Sequence, residues 1–143
     1  MGNYVNNEGD IVAIIYFNIF TRWRMKDNKI RETIVENLER NKIIIPEAVI
    51  DFFYRIISNY CIEKIIIFGS RAYHDEEPTS DIDIAIVSSI LTRIELLQIK
   101  FIADEVRTLL KLGIVHFNSN PKELQCRINK TGVIIYEQKK GIR

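Results

Sequence analysis

The chain is short of several things, and each shortage removes a class of function. Its 143 residues include two cysteines, Cys61 and Cys126, too few for a disulfide framework. Neither stands at a metal-binding spacing from the other or from His74 and His116, and that usage fits a reduced, cytoplasmic setting. The longest early apolar run, IVAIIYFNIF at residues 11–20, is about half of what a membrane-spanning helix needs, so no membrane association is expected. It follows Glu8 and Asp10, not basic residues, which makes it a poor secretion signal. With a formal net charge of +1 there is no basic excess to hold nucleic acid. No internal repeat, low-complexity segment, P-loop, dinucleotide fingerprint or zinc motif occurs.

What remains is an ordinary globular composition, 47% hydrophobic and 27% charged, in a length that fits one domain with a self-sufficient core. Residues 1–24 are Asn-rich, then apolar and aromatic, and differ from the rest of the chain. They read as an N-terminal extension, native or set by start-codon choice, ahead of a single domain over residues 25–143. Packing of residues 11–20 on that domain as a strand or helix is an equal alternative.

Apolar periodicity gives the elements. Ile30, Ile34 and Leu38 lay one stripe on a helix between Lys29 and Asn41. PEAVIDFFYRIISNY, opened by Pro46, predicts a second helix. Lys64 to Phe68 and Ile82 to Val87 are β-branched runs and predict buried strands. Thr92 and Glu95 form a capping box before a long helix whose apolar positions run Leu96, Ile99, Ala103, Val106, Leu110. GIVHF predicts a short strand. Asn120-Pro121-x-Glu123 opens a helix carrying Leu124 and Ile128 that Gly132 ends, and VIIYE closes as a strand. Alternating helix and strand gives an α/β (α+β) class: a small mixed sheet flanked by helices.

One stretch resists a purely structural reading. Asp81 and Asp83 are set into an apolar strand, where residues two apart project to the same side while Ile82, Ile84 and Ile86 face the other. Two adjacent carboxylates repel each other, and a cation between them relieves that cost. Mg²⁺ takes oxygen ligands and typically combines one or two carboxylates with substrate phosphates, so the pair is a platform for phosphoryl or nucleotidyl transfer. Gly69-Ser70 directly after the first strand lets backbone N–H groups and a hydroxyl approach a phosphate, a short helix from SRAY aims its positive end there, and Arg71 adds charge. Each piece alone is common; their order along the chain is the signal.

Gly-Ser, ten residues, then Asp-x-Asp resembles the signature of the DNA polymerase β-like nucleotidyltransferase superfamily, above all its minimal nucleotidyltransferases (MNT). GSRAY, TSDIDIAIV and the C-terminal ELQCRINKTGVIIYE are similar to that group, and the likeness spans residues 46–138. The resemblance implies transfer of a nucleoside monophosphate, AMP from ATP or another NTP, to a hydroxyl. It implies Mg²⁺ (or Mn²⁺) on Asp81 and Asp83, with Gly69, Ser70 and Arg71 binding the nucleotide. It also implies a helical HEPN-type toxin as partner, with this chain as antitoxin.

The family places a third carboxylate on a later strand, and here LKLGIVHFNSN holds none. Its position falls at Gly113 by spacing from ELQCRI, or at His116 in another register; Asp104 or Glu105 are candidate substitutes. A binding module that neutralises its partner by complex formation is therefore the alternative to an enzyme. In the loop, Asp75, Glu76 and Glu77 read as a solvated face; as a contact they would meet a basic surface and repel an RNA or DNA acceptor. His116 reads as a hydrogen-bonded strand residue, and both cysteines as half-buried filler. Oligomeric state, homo-oligomer included, is left open.

Overall fold

The computed structural model describes residues 28–73 and 81–139. The extension expected at residues 1–24 and the acidic loop of Asp75, Glu76 and Glu77 lie outside the described residues. Within them the chain runs α1 (28–40), α2 (Glu47–Asn59), β1 (Lys64–Phe68), α3 (Ser70–Tyr73), β2 (Ile82–Val87), α4 (Arg93–Asp104), β3 (Leu112–His116), a 3₁₀ turn (Phe117–Ser119), α5 (Lys122–Thr131) and β4 (Val133–Glu137).

The four strands form one mixed sheet in the order β3-β2-β1-β4. β1 pairs antiparallel with both β2 and β4, and β2 pairs parallel with β3. A parallel pair needs a long crossover, and α4 supplies it. The strands are near-continuous Ile and Val runs because both sheet faces are covered. Ile82, Ile84, Ile86, Ile65, Ile67 and Ile135 face a main core completed by Ile34 of α1, Phe53 and Ile56 of α2 and Ile99 of α4. On the other face Ile66 and Ala85 meet Ile128 of α5 in a smaller cluster. Asn37 of α1 ties the helix layer to β4 by donating from Nδ2 to the Ile135 carbonyl at 2.9 Å.

The capping box forms as expected: Glu95 N–H donates to Thr92 Oγ1 at 3.1 Å, and Thr92 N–H donates to Glu95 Oε1 at 3.0 Å. The helix behind it is shorter than the apolar period predicts. α4 ends at Asp104, and Val106 and Leu110 reach the core from a loop. Thr108 Oγ1 accepts the Leu110 N–H at 3.2 Å, a local bond that competes with helix continuation. Both cysteines are exposed, correcting the expectation of half-buried filler. Cys126 lies two positions from Leu124 and from Ile128, which turns it away from the face of α5 that those residues bury.

Candidate active site

Strand register assembles the site. Phe68 of β1 pairs with Asp83 of β2, and Asp83 pairs with Gly113 of β3. The C-terminal end of β1 therefore meets the N-terminal ends of β2 and β3, and Asp83 stands between two glycines. Alternation along β2 puts Asp83 on the α5 side of the sheet, where Ala85 belongs to the smaller cluster; Ile82, Ile84 and Ile86 are fully buried on the opposite side.

Gly69 follows β1 with φ +76°, a left-handed conformation that other residues adopt at a cost. A Cβ at Gly69 would lie 2.5 Å from Asp83 Oδ2, so the absent side chain is what makes room for the carboxylate. A Cβ at Gly113 would lie 3.0 Å from Asp83 Oδ1. The carboxylate thus sits in a niche with one glycine against each oxygen. Asp81, just before β2, is exposed. Burial is the larger cause that raises the Asp83 pKa above the ordinary carboxylate range, and repulsion from Asp81 adds to it. That is the electrostatic mark of a half-buried carboxylate beside an exposed one, a repulsion that a cation would relieve.

Register also decides between the two positions considered for a third acid. Gly113 is beside Asp83 on the same face; His116, three residues on, pairs with Ile86 and faces the other way. The His116 ring is held at the far end of β3, with Nε2–H donating to the Ser88 carbonyl at 2.9 Å and the Ser119 hydroxyl donating to Nδ1 at 2.6 Å. Neither candidate substitute reaches the niche. Asp104 and Glu105 end α4, which packs on the opposite sheet face through Ile99 and Ala103. Glu105 lines an open groove of ≈ 330 Å³ beside Asp51, Phe52 and Arg55 of α2. Among the described residues no group of three or more His, Cys, Asp or Glu side chains converges to hold a metal. Asp81 and Asp83 offer hard oxygen donors without imidazole or thiolate beside them, a chemistry that would suit Mg²⁺ completed by other oxygen ligands.

Ser70 opens α3, directly after the Gly69 turn. Arg71 is 6% exposed, and its Nη1 donates to the Ile44 carbonyl at 3.3 Å, in the link between α1 and α2. That bond anchors the turn to the helix layer, a contact sequence reasoning missed because nothing local in GSRAY signals it.

The model of the polymerase β nucleotidyltransferase family matches residues 53–141, a span holding β1 through β4 and every residue of the niche. The chain belongs to this family. Solved structures similar to it include a toxin–antitoxin with AMP-PNP (TM-score 0.47, 20% identity, covering 77% of this chain and 75% of that one). A second is the toxin–antitoxin MntA-HepT, with TM-score 0.46 and 19% identity over 64% of this chain and 69% of that one. A third is a tri-AMPylated Shewanella oneidensis HEPN toxin in complex with MNT antitoxin, with TM-score 0.38 and 18% identity over 78% and 73% of the two chains. No curated protein matches the chain. At such identities, what those proteins bind or modify is a property of those proteins. Among the described residues of this family member, no helix is long and apolar enough to cross a membrane.

Proposed function

We propose that this nucleotidyltransferase-family protein is a cytoplasmic MNT-type antitoxin that transfers AMP from ATP to a hydroxyl of a HEPN-type toxin. The observation that carries the proposal is the Asp83 carboxylate seated against Gly69, in a turn that only an absent side chain leaves open. Asp81 and Asp83 would hold Mg²⁺, or Mn²⁺, together with triphosphate oxygens. The bound metal would offset charge on the phosphate oxygens. Gly69 leaves the backbone of the turn accessible to the β- and γ-phosphates, and the Ser70 hydroxyl donates to them. The acceptor oxygen bonds to the α-phosphorus as the bond to the bridging oxygen breaks; pyrophosphate leaves, and the hydroxyl proton passes to water. Arg71 supports this cradle through its bond to Ile44 and adds positive charge behind it.

Gly113 favours a second reading. It stands beside Asp83 where the family's third carboxylate would act, and Gly offers no ligand. In that reading the chain neutralises its partner by covering it, and nucleotide binding on Asp81, Asp83 and the turn persists without turnover.

One assay separates them. The protein is incubated with α-labelled ATP, Mg²⁺ or Mn²⁺ and its HEPN-type partner. Label on the partner that disappears in the Asp81→Ala, Asp83→Ala double variant is the expected result. A tight complex without label under either metal would overturn the enzyme reading and leave the second.

A further inference from the structure

α4 carries an apolar stripe that is exposed among the described residues. Ile94, Leu97 and Phe101 are 69%, 57% and 71% exposed, and Ile90 just before the helix is 66% exposed. Single exposed apolar residues are ordinary on a protein surface; three large ones on one face of a helix are not. Within α4 the steps from 94 to 97 and 101 are three and four residues, the 3.5-residue repeat of a helix–helix seam, and Ile90 adds apolar surface just ahead of it. The stripe is not the core face displaced, because Ile99 and Ala103 on the other side of α4 are buried against the sheet. Along one edge of the seam Arg93 and Lys100 occupy equivalent positions seven residues apart, and both are exposed.

We infer that this stripe docks one amphipathic helix of a partner protein, apolar at the same repeat and acidic along the edge that meets Arg93 and Lys100. Charge selects this occupant over the others. Two copies pairing through antiparallel α4 helices would set Arg93 and Lys100 against their own equivalents. An anionic membrane surface would be repelled by Glu95, Asp104 and Glu105 of the same segment. The chain's own apolar run, residues 11–20, has acidic residues only ahead of it, at Glu8 and Asp10, and none along its length to meet a basic edge that extends over two turns of α4. The seam lies on the opposite sheet face from Asp83, so docking leaves the niche open, and the inference does not rest on nucleotide transfer.

The test uses the full-length chain and two labelled helical peptides of about three heptads, with Leu and Ile at the seam positions and either Glu or Lys along both edges. Fluorescence anisotropy is expected to show the Glu-edged peptide binding about tenfold tighter than the Lys-edged one. Leu97→Glu with Phe101→Glu is expected to abolish binding. Arg93→Glu with Lys100→Glu, both at exposed positions and read only where thermal unfolding matches the parent, is expected to reverse the preference. Equal or absent binding of the two peptides would overturn the inference. So would a dimer in sedimentation that the Leu97→Glu, Phe101→Glu variant loses, or stripe-dependent binding to phosphatidylserine vesicles. A photo-crosslink from position 97 to residues 11–20 of the same chain would overturn it as well.

Discussion

Gly113→Asp is the perturbation that reads the site most fully. The new Cβ would start 3.0 Å from Asp83 Oδ1, and 3.8 Å from the Ile82 carbonyl oxygen, so its carboxylate must come to rest about one side-chain length from that of Asp83. Two unit charges about 4 Å apart repel by about 1 kcal/mol in water and about 4 kcal/mol at an effective dielectric constant of about 20. Asp83 is only half-buried, which places the expected cost near the lower end, about 1–2 kcal/mol. At about 3 °C per kcal/mol for a domain near this size, the metal-free variant should melt about 3–6 °C below wild type. Gly113→Asn has the same shape without the charge, and the difference between the two variants isolates the repulsion from the crowding. Added Mn²⁺ or Mg²⁺ should raise the melting temperature of Gly113→Asp more than that of wild type, since saturation at about a hundredfold over Kd adds about 2.7 kcal/mol. If the missing acid is what limits turnover, AMP transfer to the partner should rise by an order of magnitude or more. Identical melting of the Asp and Asn variants, with no difference in metal response from wild type, would refute the placement of position 113 beside Asp83.

Three further outcomes are expected. Because the folded state raises the Asp83 pKa, it binds that proton more tightly than the unfolded chain does, and the stability this confers at low pH is lost as pH rises through the folded pKa. Asp83→Asn should therefore raise metal-free stability at neutral pH while abolishing the metal response, and its advantage should vanish below the ordinary carboxylate pKa of about 3.9 when melting is followed against pH. Gly69→Ala should cost about 1–2 kcal/mol for its left-handed backbone and more for the collision with Asp83 Oδ2, and calorimetry should show part of that loss recovered in the double variant with Asp83→Ala. Thr92→Ala, which removes the capping bond at the start of α4, should cost about 1 kcal/mol in denaturant unfolding and leave metal-dependent nucleotide binding unchanged.

How much of the fold was legible in the sequence depended on how local each signal is. The boundaries of β1, β2 and β4 coincide with their apolar runs because a turn residue marks an end of each: Gly69 after β1, Ser88 after β2 and Gly132 before β4. The end of α4 does not, since Val106 and Leu110 keep the helical period while packing from a loop, and periodicity reports burial, not backbone conformation. Asp83 could be assigned to the face of β2 opposite Ile82, Ile84 and Ile86 by alternation alone. Whether Gly113 or His116 stands beside them could not, because parallel register between β2 and β3 is set by the α4 crossover and by packing remote in sequence. The burial of Arg71 against the Ile44 carbonyl is of the same kind, joining residues 27 apart. The α4 stripe was legible only in part: the long helix was expected, but which of its apolar residues would be left exposed depended on how α4 packs across β2 and β3.

The central claim is that Asp83, in its glycine niche beside Asp81, holds a divalent cation with a nucleoside triphosphate. Calorimetric titration of the metal-free protein with ATP, in the presence and absence of Mg²⁺, addresses it most directly. The account predicts binding that requires the metal and is lost in Asp83→Asn while the fold persists. Binding of equal strength without metal, or undiminished in Asp83→Asn, would contradict it.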